Sequence, residues 1–189
     1  MAAHGAHRPD VDGDVAPPIR PSTNFARDTD YKLILPNRSY SRAENPTYLE
    51  AEALLATLEG GADALLFASG MAAATAVVMA LRPGERIAAP TVMYWGLRDW
   101  LIEFCGQWGL GLDLYDVAEP EALARALKPG QTKLAWIETP ANPTWEVIDI
   151  AASAAAAKEA GALLAVDSTV PTPVHTRPID HGADIVFHS

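Results

Sequence analysis

The sequence predicts an α/β fold, in which a mainly parallel β-sheet carries helices on both of its faces. Short apolar runs alternate with helical patterns of about ten residues along most of the chain, which is typical of consecutive βαβ units. Four apolar residues at 163–166 follow closely after a glycine and indicate a strand that is buried on both faces. With no internal repeat and no linker, the 189 residues are expected to form an extended N-terminal arm over 1–46 and one α/β domain over 47–189.

The N-terminal part of the chain contains one predicted helix. Residues 1–36 are rich in Pro, Asp and Arg and show neither helical nor alternating periodicity, which favours an extended segment. Asn45-Pro46-Thr47 then opens a helix, in which Thr47 is the expected N-cap and Glu50 is placed to complete a capping box. Gly60-Gly61 ends this helix, because glycine is favoured just beyond a helix C-terminus.

From residue 64 onward the predicted strands and helices alternate regularly. Each helix begins after a loop that follows a strand, and most of the helices end at a glycine or a Pro-Gly pair. The predicted strands span 64–68, 86–90, 110–115, 133–137, 163–166 and 184–189, and the predicted helices span 72–81, 95–108, 121–127 and 148–160.

Composition and charge exclude several classes of partner. The chain has 14 basic and 24 acidic residues and a net charge of -10, with no basic block that could follow a phosphate backbone, so neither nucleic acid nor an anionic membrane is expected to bind.

The single cysteine, Cys105, lies in an apolar helical pattern and is expected to be a buried structural thiol. No apolar run approaches the roughly 18 residues of a membrane helix and no secretory leader is seen, so we expect a cytoplasmic protein. No metal site is predicted.

Asp167 stands where the buried strand 163–166 meets the loop beyond it. In an open α/β sheet, ligands bind in the crevice outside the carboxyl ends of the strands. A buried carboxylate is costly unless a cation meets it, so this position indicates a ligand that carries positive charge, such as a protonated pyridine nitrogen. The alternative is that Asp167 only hydrogen-bonds its own turn, together with Ser168 and Thr169.

Other polar groups also fall at or just beyond predicted strand ends. Ser69-Gly70 precedes a helix N-terminus, where unpaired N–H groups favour phosphate, although ordinary helix capping explains the pair equally well. Tyr40 and Arg42 share one face if their segment is extended, and either clamp a phosphate or form a solvated surface pair. A phosphate cradle, an aromatic face, an amide and a buried carboxylate would thus come from Ser69-Gly70, Tyr94, Asn142, Asp167 and Ser189.

These residues resemble the Cys/Met-metabolism, transsulfuration group of pyridoxal-phosphate enzymes, which includes cystathionine β-lyase, cystathionine γ-synthase and γ-lyase, and methionine γ-lyase. The resemblance begins near Pro17 and implies a fold-type I large domain, like that of aspartate aminotransferase, here truncated. Its marks are Tyr40-Ser41-Arg42 with Asn45-Pro46-Thr47, Ser69-Gly70-Met71-Ala72-Ala73, Glu138-Thr139-Pro140-Ala141-Asn142-Pro143, Val166-Asp167-Ser168-Thr169 and Asp184-Ile185-Val186-Phe187-His188-Ser189.

The resemblance implies which residues would hold the phosphate of pyridoxal 5'-phosphate. Gly70 and Met71 would offer backbone N–H groups, and Ser69 and Ser189 would support them. Tyr40 and Arg42 would bind the phosphate in the neighbouring subunit of a homo-oligomer, a dimer with shared sites that assembles into a tetramer.

The resemblance also implies which residues would hold the cofactor ring. Tyr94 would stack on the ring and is the residue counted as catalytic. Asn142 would approach the ring hydroxyl. Asp167, with Thr169 beside it among the cofactor-binding residues, would hold the pyridinium and keep its nitrogen protonated, which strengthens the electron sink on which this chemistry depends.

The implied activity is a lyase reaction on a sulfur amino acid, with cleavage of a carbon–sulfur bond in the manner of cystathionine β-lyase. Cystathionine γ-synthase, γ-lyase or O-acylhomoserine sulfhydrylase activity is the alternative, and Trp95-Gly96 and Ala43-Glu44 depart from the family pattern in ways that leave the substrate open.

A noncatalytic α/β module is a second alternative. The Schiff-base lysine of the family normally follows the serine at position 189 by three residues, and the smaller C-terminal domain comes later still. We therefore expect residues 1–189 alone to turn over no amino acid, because the family position matches none of Lys32, Lys128, Lys133 and Lys158.

Overall fold

The computed structural model describes residue 13, residues 16–119 and residues 121–189. It separates into two compact units, Met1–Leu66 and Phe67–Ser189. The first part of the predicted arm lies outside the described residues, and the predicted domain boundary at 46/47 stays a prediction.

Among the described residues of the first unit there is one helix, α1 (Pro46–Glu59). Its N-cap is Asn45, whose side chain accepts the Thr47 N–H at 2.8 Å, so the predicted cap at Thr47 is wrong. Asparagine is among the best N-cap residues, and the proline that follows it suits the first helical position. The helix therefore starts two residues earlier in the sequence than predicted. Thr47 Oγ1 instead accepts the Arg20 N–H at 2.9 Å. The helix ends as predicted at Gly60, which has a φ of 73°.

The predicted strand at 64–68 is wrong. A strand requires a neighbour to complete its hydrogen-bond ladder, and no strand within the described residues pairs with this segment. The Leu66 N–H donates to the side-chain Oε1 of Glu52 at 2.8 Å instead. Leu65 and Phe67 are exposed, so the apolar residues of the segment cover no sheet face.

The second unit is built on a five-stranded sheet whose strands are all parallel, in the order β2-β1-β3-β4-β5. Its elements in chain order are α2 (Gly70–Met79), β1 (Arg86–Pro90), α3 (Trp95–Trp108), β2 (Gly111–Tyr115), α4 (Ala122–Ala126), β3 (Thr132–Glu138), α5 (Ile150–Ala160), β4 (Leu163–Asp167), α6 (Thr172–His175), a 3-10 helix (Pro178–His181) and β5 (Ile185–Phe187).

The sheet has a separate apolar core on each face, because successive side chains of a strand point to opposite sides. On β3, Leu134 and Trp136 pack with α2 and α3, whereas Ala135 and Ile137 pack with α4 and α5. The same alternation on β1 and β4 completes both cores. The predicted α/β fold with helices on both faces is therefore confirmed.

An ion cluster joins Arg86, at the amino end of β1, to Asp113, in the middle of the neighbouring strand β2. Arg86 Nε and Nη2 each donate to Asp113 at 2.7 Å, and Lys128 Nζ donates to the same carboxylate at 2.7 Å. The Arg86 hydrogen bond, followed by that of Lys128, lowers the pKa of the Asp113 carboxyl. Gly111 lies directly under the guanidinium, since a Cβ there would lie 2.4 Å from Arg86 Nη1.

Smaller differences from the predicted elements lie in the connection from β4 to β5. Neither α6 nor the 3-10 helix was predicted, since each has only four residues. The last strand is shorter than predicted, which places Ser189 beyond its end. Cys105 is buried as predicted, and burial raises the pKa of its thiol. Among the described residues no helix is long and apolar enough to cross a membrane.

Candidate active site

A cavity of about 380 Å³ opens at the carboxyl ends of the central strands. In the sheet, β2 lies on one side of β1 and β3 lies on the other, so the strand order reverses direction at β1. Open α/β sheets bind ligands at such a switch point. Eight of the predicted site residues line this cavity together, namely Ser69, Gly70, Met71, Tyr94, Asn142, Asp167, Thr169 and Ser189.

One wall of the cavity is the N-terminus of α2. Ser69 is the N-cap, and its Oγ accepts the Ala72 N–H at 3.1 Å. The N–H groups of Gly70 and Met71 belong to the first turn and have no intrahelical partner, and the positive end of the helix dipole adds to them. The capping interpretation and the anion-site interpretation of this segment are therefore compatible.

Ser189 packs directly against the backbone of Gly70. A Cβ atom built on Gly70 would lie 2.1 Å from Ser189 Oγ and 2.5 Å from Ser189 Cβ, so position 70 accepts no side chain while Ser189 stays in place. The Ser189 N–H donates to Thr169 Oγ1 at 3.1 Å. The first turn of α2 and the segment after β5 thus form one cradle.

Asp167 is 7% exposed at the end of β4. Its Oδ1 accepts the Thr169 N–H at 3.0 Å and the Thr169 hydroxyl at 2.6 Å. Burial raises the pKa of the Asp167 carboxyl, against the opposing effect of these two bonds and of His188. The carboxylate bonds its own turn and also lines the cavity, so the turn interpretation does not exclude a cationic ligand, whose charge would relieve the cost of burial.

Glu138 is a buried site residue to which the sequence analysis assigned no role. It is 5% exposed, ends β3, and lies in register with Asp167 on β4. Its Oε2 accepts the Tyr94 N–H at 2.6 Å and its Oε1 accepts the Asn142 N–H at 2.8 Å. Burial raises the pKa of the Glu138 carboxyl and the charge of Asp167 adds to the rise, while the bonds from Asn142 and Tyr94 oppose it. Its position at a strand end is the signal that sequence reasoning could have used.

Tyr94 occupies the N-cap position of α3 with a half-exposed ring. The ring packs over Gly96, since a Cβ there would lie 2.9 Å from Tyr94 Cε1. Trp95, the other departure from the family pattern at this point, is 67% exposed. The Tyr94 ring can occupy this position because Gly96 has no side chain.

Tyr40 and Arg42 belong to the first unit, where they contact each other. Arg42 Nη2 donates to Tyr40 Oη at 3.1 Å, and the guanidinium carbon lies 5.2 Å from the ring centroid. The extended conformation predicted for this segment is wrong, because residues 41–43 form a turn. The turn nevertheless brings the two side chains together.

A helix N-terminus, an aromatic ring and a buried carboxylate surround one cavity at the carboxyl edge of a parallel sheet, which is where open α/β proteins bind their ligands. The chain belongs to the Cys/Met metabolism PLP-dependent enzyme family, whose pattern it matches over residues 1–189. This membership confirms the resemblance and the fold-type I architecture, and the enzymes of this family depend on pyridoxal phosphate.

The relatives that the chain matches are named for several activities. The chain is 37% identical to a probable cystathionine gamma-synthase of Herpetosiphon aurantiacus, over 100% of this chain and 58% of that protein. It is also 37% identical to cystathionine beta-lyase MetC of Staphylococcus haemolyticus, over 95% of this chain and 45% of that protein. The crystal structure of apo CalE6, a methionine gamma lyase from Micromonospora echinospora, superposes with a TM-score of 0.88 at 38% identity, covering 98% of this chain and 49% of that one. The chain thus spans about half the length of the relatives it matches.

Proposed function

We propose that this protein is a pyridoxal-phosphate-dependent carbon–sulfur lyase of sulfur amino acid metabolism, and that it cleaves cystathionine in the manner of a cystathionine β-lyase. The observation that carries the proposal is the cavity at the switch point of the sheet, where eight residues expected to bind this cofactor lie together. The identity to a cystathionine beta-lyase supports the particular reaction, and the equal identity to a cystathionine gamma-synthase makes γ-chemistry its competitor.

The residues around the cavity fit pyridoxal phosphate. Its phosphate would lie in the cradle between the first turn of α2 and Ser189, and its ring would lie against the face of Tyr94. Asn142 would hold the ring hydroxyl. The buried carboxylate of Asp167 suits the pyridinium nitrogen, because the cation would offset the cost of burying the anion.

The residues of the chain have separate tasks in the proposed reaction. When bound, pyridoxal phosphate supplies an electron sink for bonds that break in the amino-acid substrate. Asp167 holds the proton on the ring nitrogen, and the bonds from Thr169 keep its carboxylate in one orientation. The first turn of α2 holds the phosphate and Tyr94 fixes the plane of the ring, so that substrate bonds are aligned for cleavage.

The proposal extends to a homo-oligomer. Tyr40 and Arg42 make a phenol–guanidinium pair that would bind the phosphate of the neighbouring subunit. A dimer with shared sites, assembled into a tetramer in the cytoplasm, is part of the same proposal.

The test is an assay of the full-length protein, purified with pyridoxal phosphate, on L-cystathionine and separately on O-acylhomoserine with a thiol. We expect pyruvate from L-cystathionine. Release of 2-oxobutyrate would show γ-lyase activity instead of β-lyase activity. A thioether product from O-acylhomoserine would show synthase or sulfhydrylase activity instead. Absence of all these products and of cofactor absorbance would favour the noncatalytic alternative.

The matched variant for this assay is Asp167→Asn. An asparagine oxygen still accepts both Thr169 bonds, so we expect the fold to persist, whereas a neutral amide does not favour the pyridinium and kcat should fall by about 100-fold or more. Near-normal turnover would remove Asp167 from the mechanism.

A further inference from the structure

Glu138 makes the hydrogen bonds that join two separate segments of the cavity wall. One oxygen holds the backbone of Tyr94, at the start of α3, and the other holds the backbone of Asn142, in the loop after β3. The donor–acceptor distances, 2.6 Å and 2.8 Å, are short for bonds from a backbone N–H, as is common when the acceptor is a carboxylate. The two residues flank the position expected for the ring.

Only glutamate satisfies this arrangement. Glutamine has one acceptor oxygen, and its NH2 group would face the second backbone N–H, so one of the two bonds is lost. Aspartate is one methylene shorter and cannot reach both donors from the end of β3. The carboxylate is also expensive at this point, because it is buried and lies beside Asp167, a second buried carboxylate. A costly buried charge in a cleft is typical of a functional position.

We propose that Glu138 is a positioning residue, which sets the distance between the Tyr94 ring and the Asn142 amide and thereby the width of the slot for a planar ligand. Its carboxylate acts through these two backbone groups. The inference rests on the proposed function for the identity of the ligand, but the geometry that it assigns to Glu138 exists without any ligand.

The first experiment is hydrogen exchange in the full-length protein without cofactor. We expect the Tyr94 or the Asn142 amide to exchange at least about 10-fold faster in Glu138→Gln, and both to do so in Glu138→Ala, because hydrogen bonds to a charged group are lost. Unchanged exchange of both amides in Glu138→Ala would overturn the proposal.

The second experiment measures the cofactor itself. We expect Glu138→Gln to weaken pyridoxal phosphate binding about 10-fold or more and to change the circular dichroism of the bound cofactor, which reports the tilt of its ring. The matched control is Glu52→Gln, since Glu52 is also a buried carboxylate that accepts a backbone N–H, from Leu66, but lies in the first unit. This control should lower thermal stability and leave cofactor affinity and circular dichroism unchanged.

The two experiments separate the two proposals. If the wild-type protein binds no pyridoxal phosphate, the proposed function fails, and the exchange experiment still decides the role of Glu138. If Glu138→Gln and Glu52→Gln change the cofactor signals equally, Glu138 is a stability residue and the inference is wrong. Should Glu138→Gln not fold, Glu138→Asp takes its place, with loss of one of the two bonds as the expected result.

Discussion

A methyl group added in Gly70→Ala would meet Ser189 Oγ at 2.1 Å. Either Ser189 or the first turn of α2 must then move, so we expect the full-length protein to lose about 1–3 kcal/mol of unfolding free energy and most of its affinity for pyridoxal phosphate. Denaturant unfolding and cofactor titration measure both effects.

Gly106→Ala is the control for this substitution. A Cβ there, on α3, has nothing within 4 Å, so we expect about 0.5–1 kcal/mol of stabilisation from helix propensity and no change in cofactor affinity. Equal changes of unfolding free energy and cofactor affinity in the two alanine variants would contradict a role of the Gly70–Ser189 cradle in cofactor binding.

At the residue scale, the sequence is informative about positions and less so about contacts. Asp167 and Ser189 are recognisable because polar residues at strand ends converge on one edge of a parallel sheet. The role of Glu138 could not be predicted, because it depends on two backbone N–H groups that only the folded chain brings within reach. The packing of the Tyr94 ring on Gly96 is hidden for the same reason.

At the element scale, the Asp113 carboxylate joins β1 to β2 through Arg86, and Lys128 binds it as well. Its pKa is lowered by these cations below the ordinary 3.8, so its contribution to stability is present above about pH 4 and is lost as the pH falls through the folded-state pKa. We expect Asp113→Asn to cost about 1–2 kcal/mol near neutral pH, and the difference from wild type to shrink towards about pH 3.

Thermal or denaturant unfolding of the full-length protein at several pH values measures this difference. The exposed Asp99, which pairs with Arg98 at 3.2 Å, provides the control, because Asp99→Asn should change stability by less than about 0.5 kcal/mol. A cost for Asp113→Asn that stays constant with pH would contradict the assigned charge effect.

The elements differ in how well the sequence predicts them. The helix Trp95–Trp108 and the strand Arg86–Pro90 have their predicted bounds, because the residues that end each element and its apolar pattern indicate the same limits. The segment 64–68 has an apolar pattern as well, yet a strand also needs a partner, which a local pattern does not reveal. The cap at Asn45 was not predicted because Asn45 and Thr47 can each cap a helix, and the proline between them favours Asn45.

At the scale of the whole molecule, the proposed sharing of sites between subunits predicts complementation. Arg42→Ala and Asp167→Asn should each be nearly inactive alone. In a mixed dimer one site would carry both changes and the other neither, so unfolding and refolding an equal mixture should restore about a quarter of wild-type activity. Steady-state assays before and after subunit exchange measure the gain. No recovery in dimers that are shown to be mixed would place Arg42 outside the neighbouring site.

The contact between Gly70 and Ser189 also bears on how the chain folds. Ser189 follows β5, which pairs with β4, whereas Gly70 belongs to α2, the first helix of the unit. The cradle therefore depends on a contact between residues that are distant in sequence, and contacts of that kind are slow to form. A cofactor that needs this cradle binds the folded protein and not the unfolded chain, so it stabilises the folded state and can slow its unfolding.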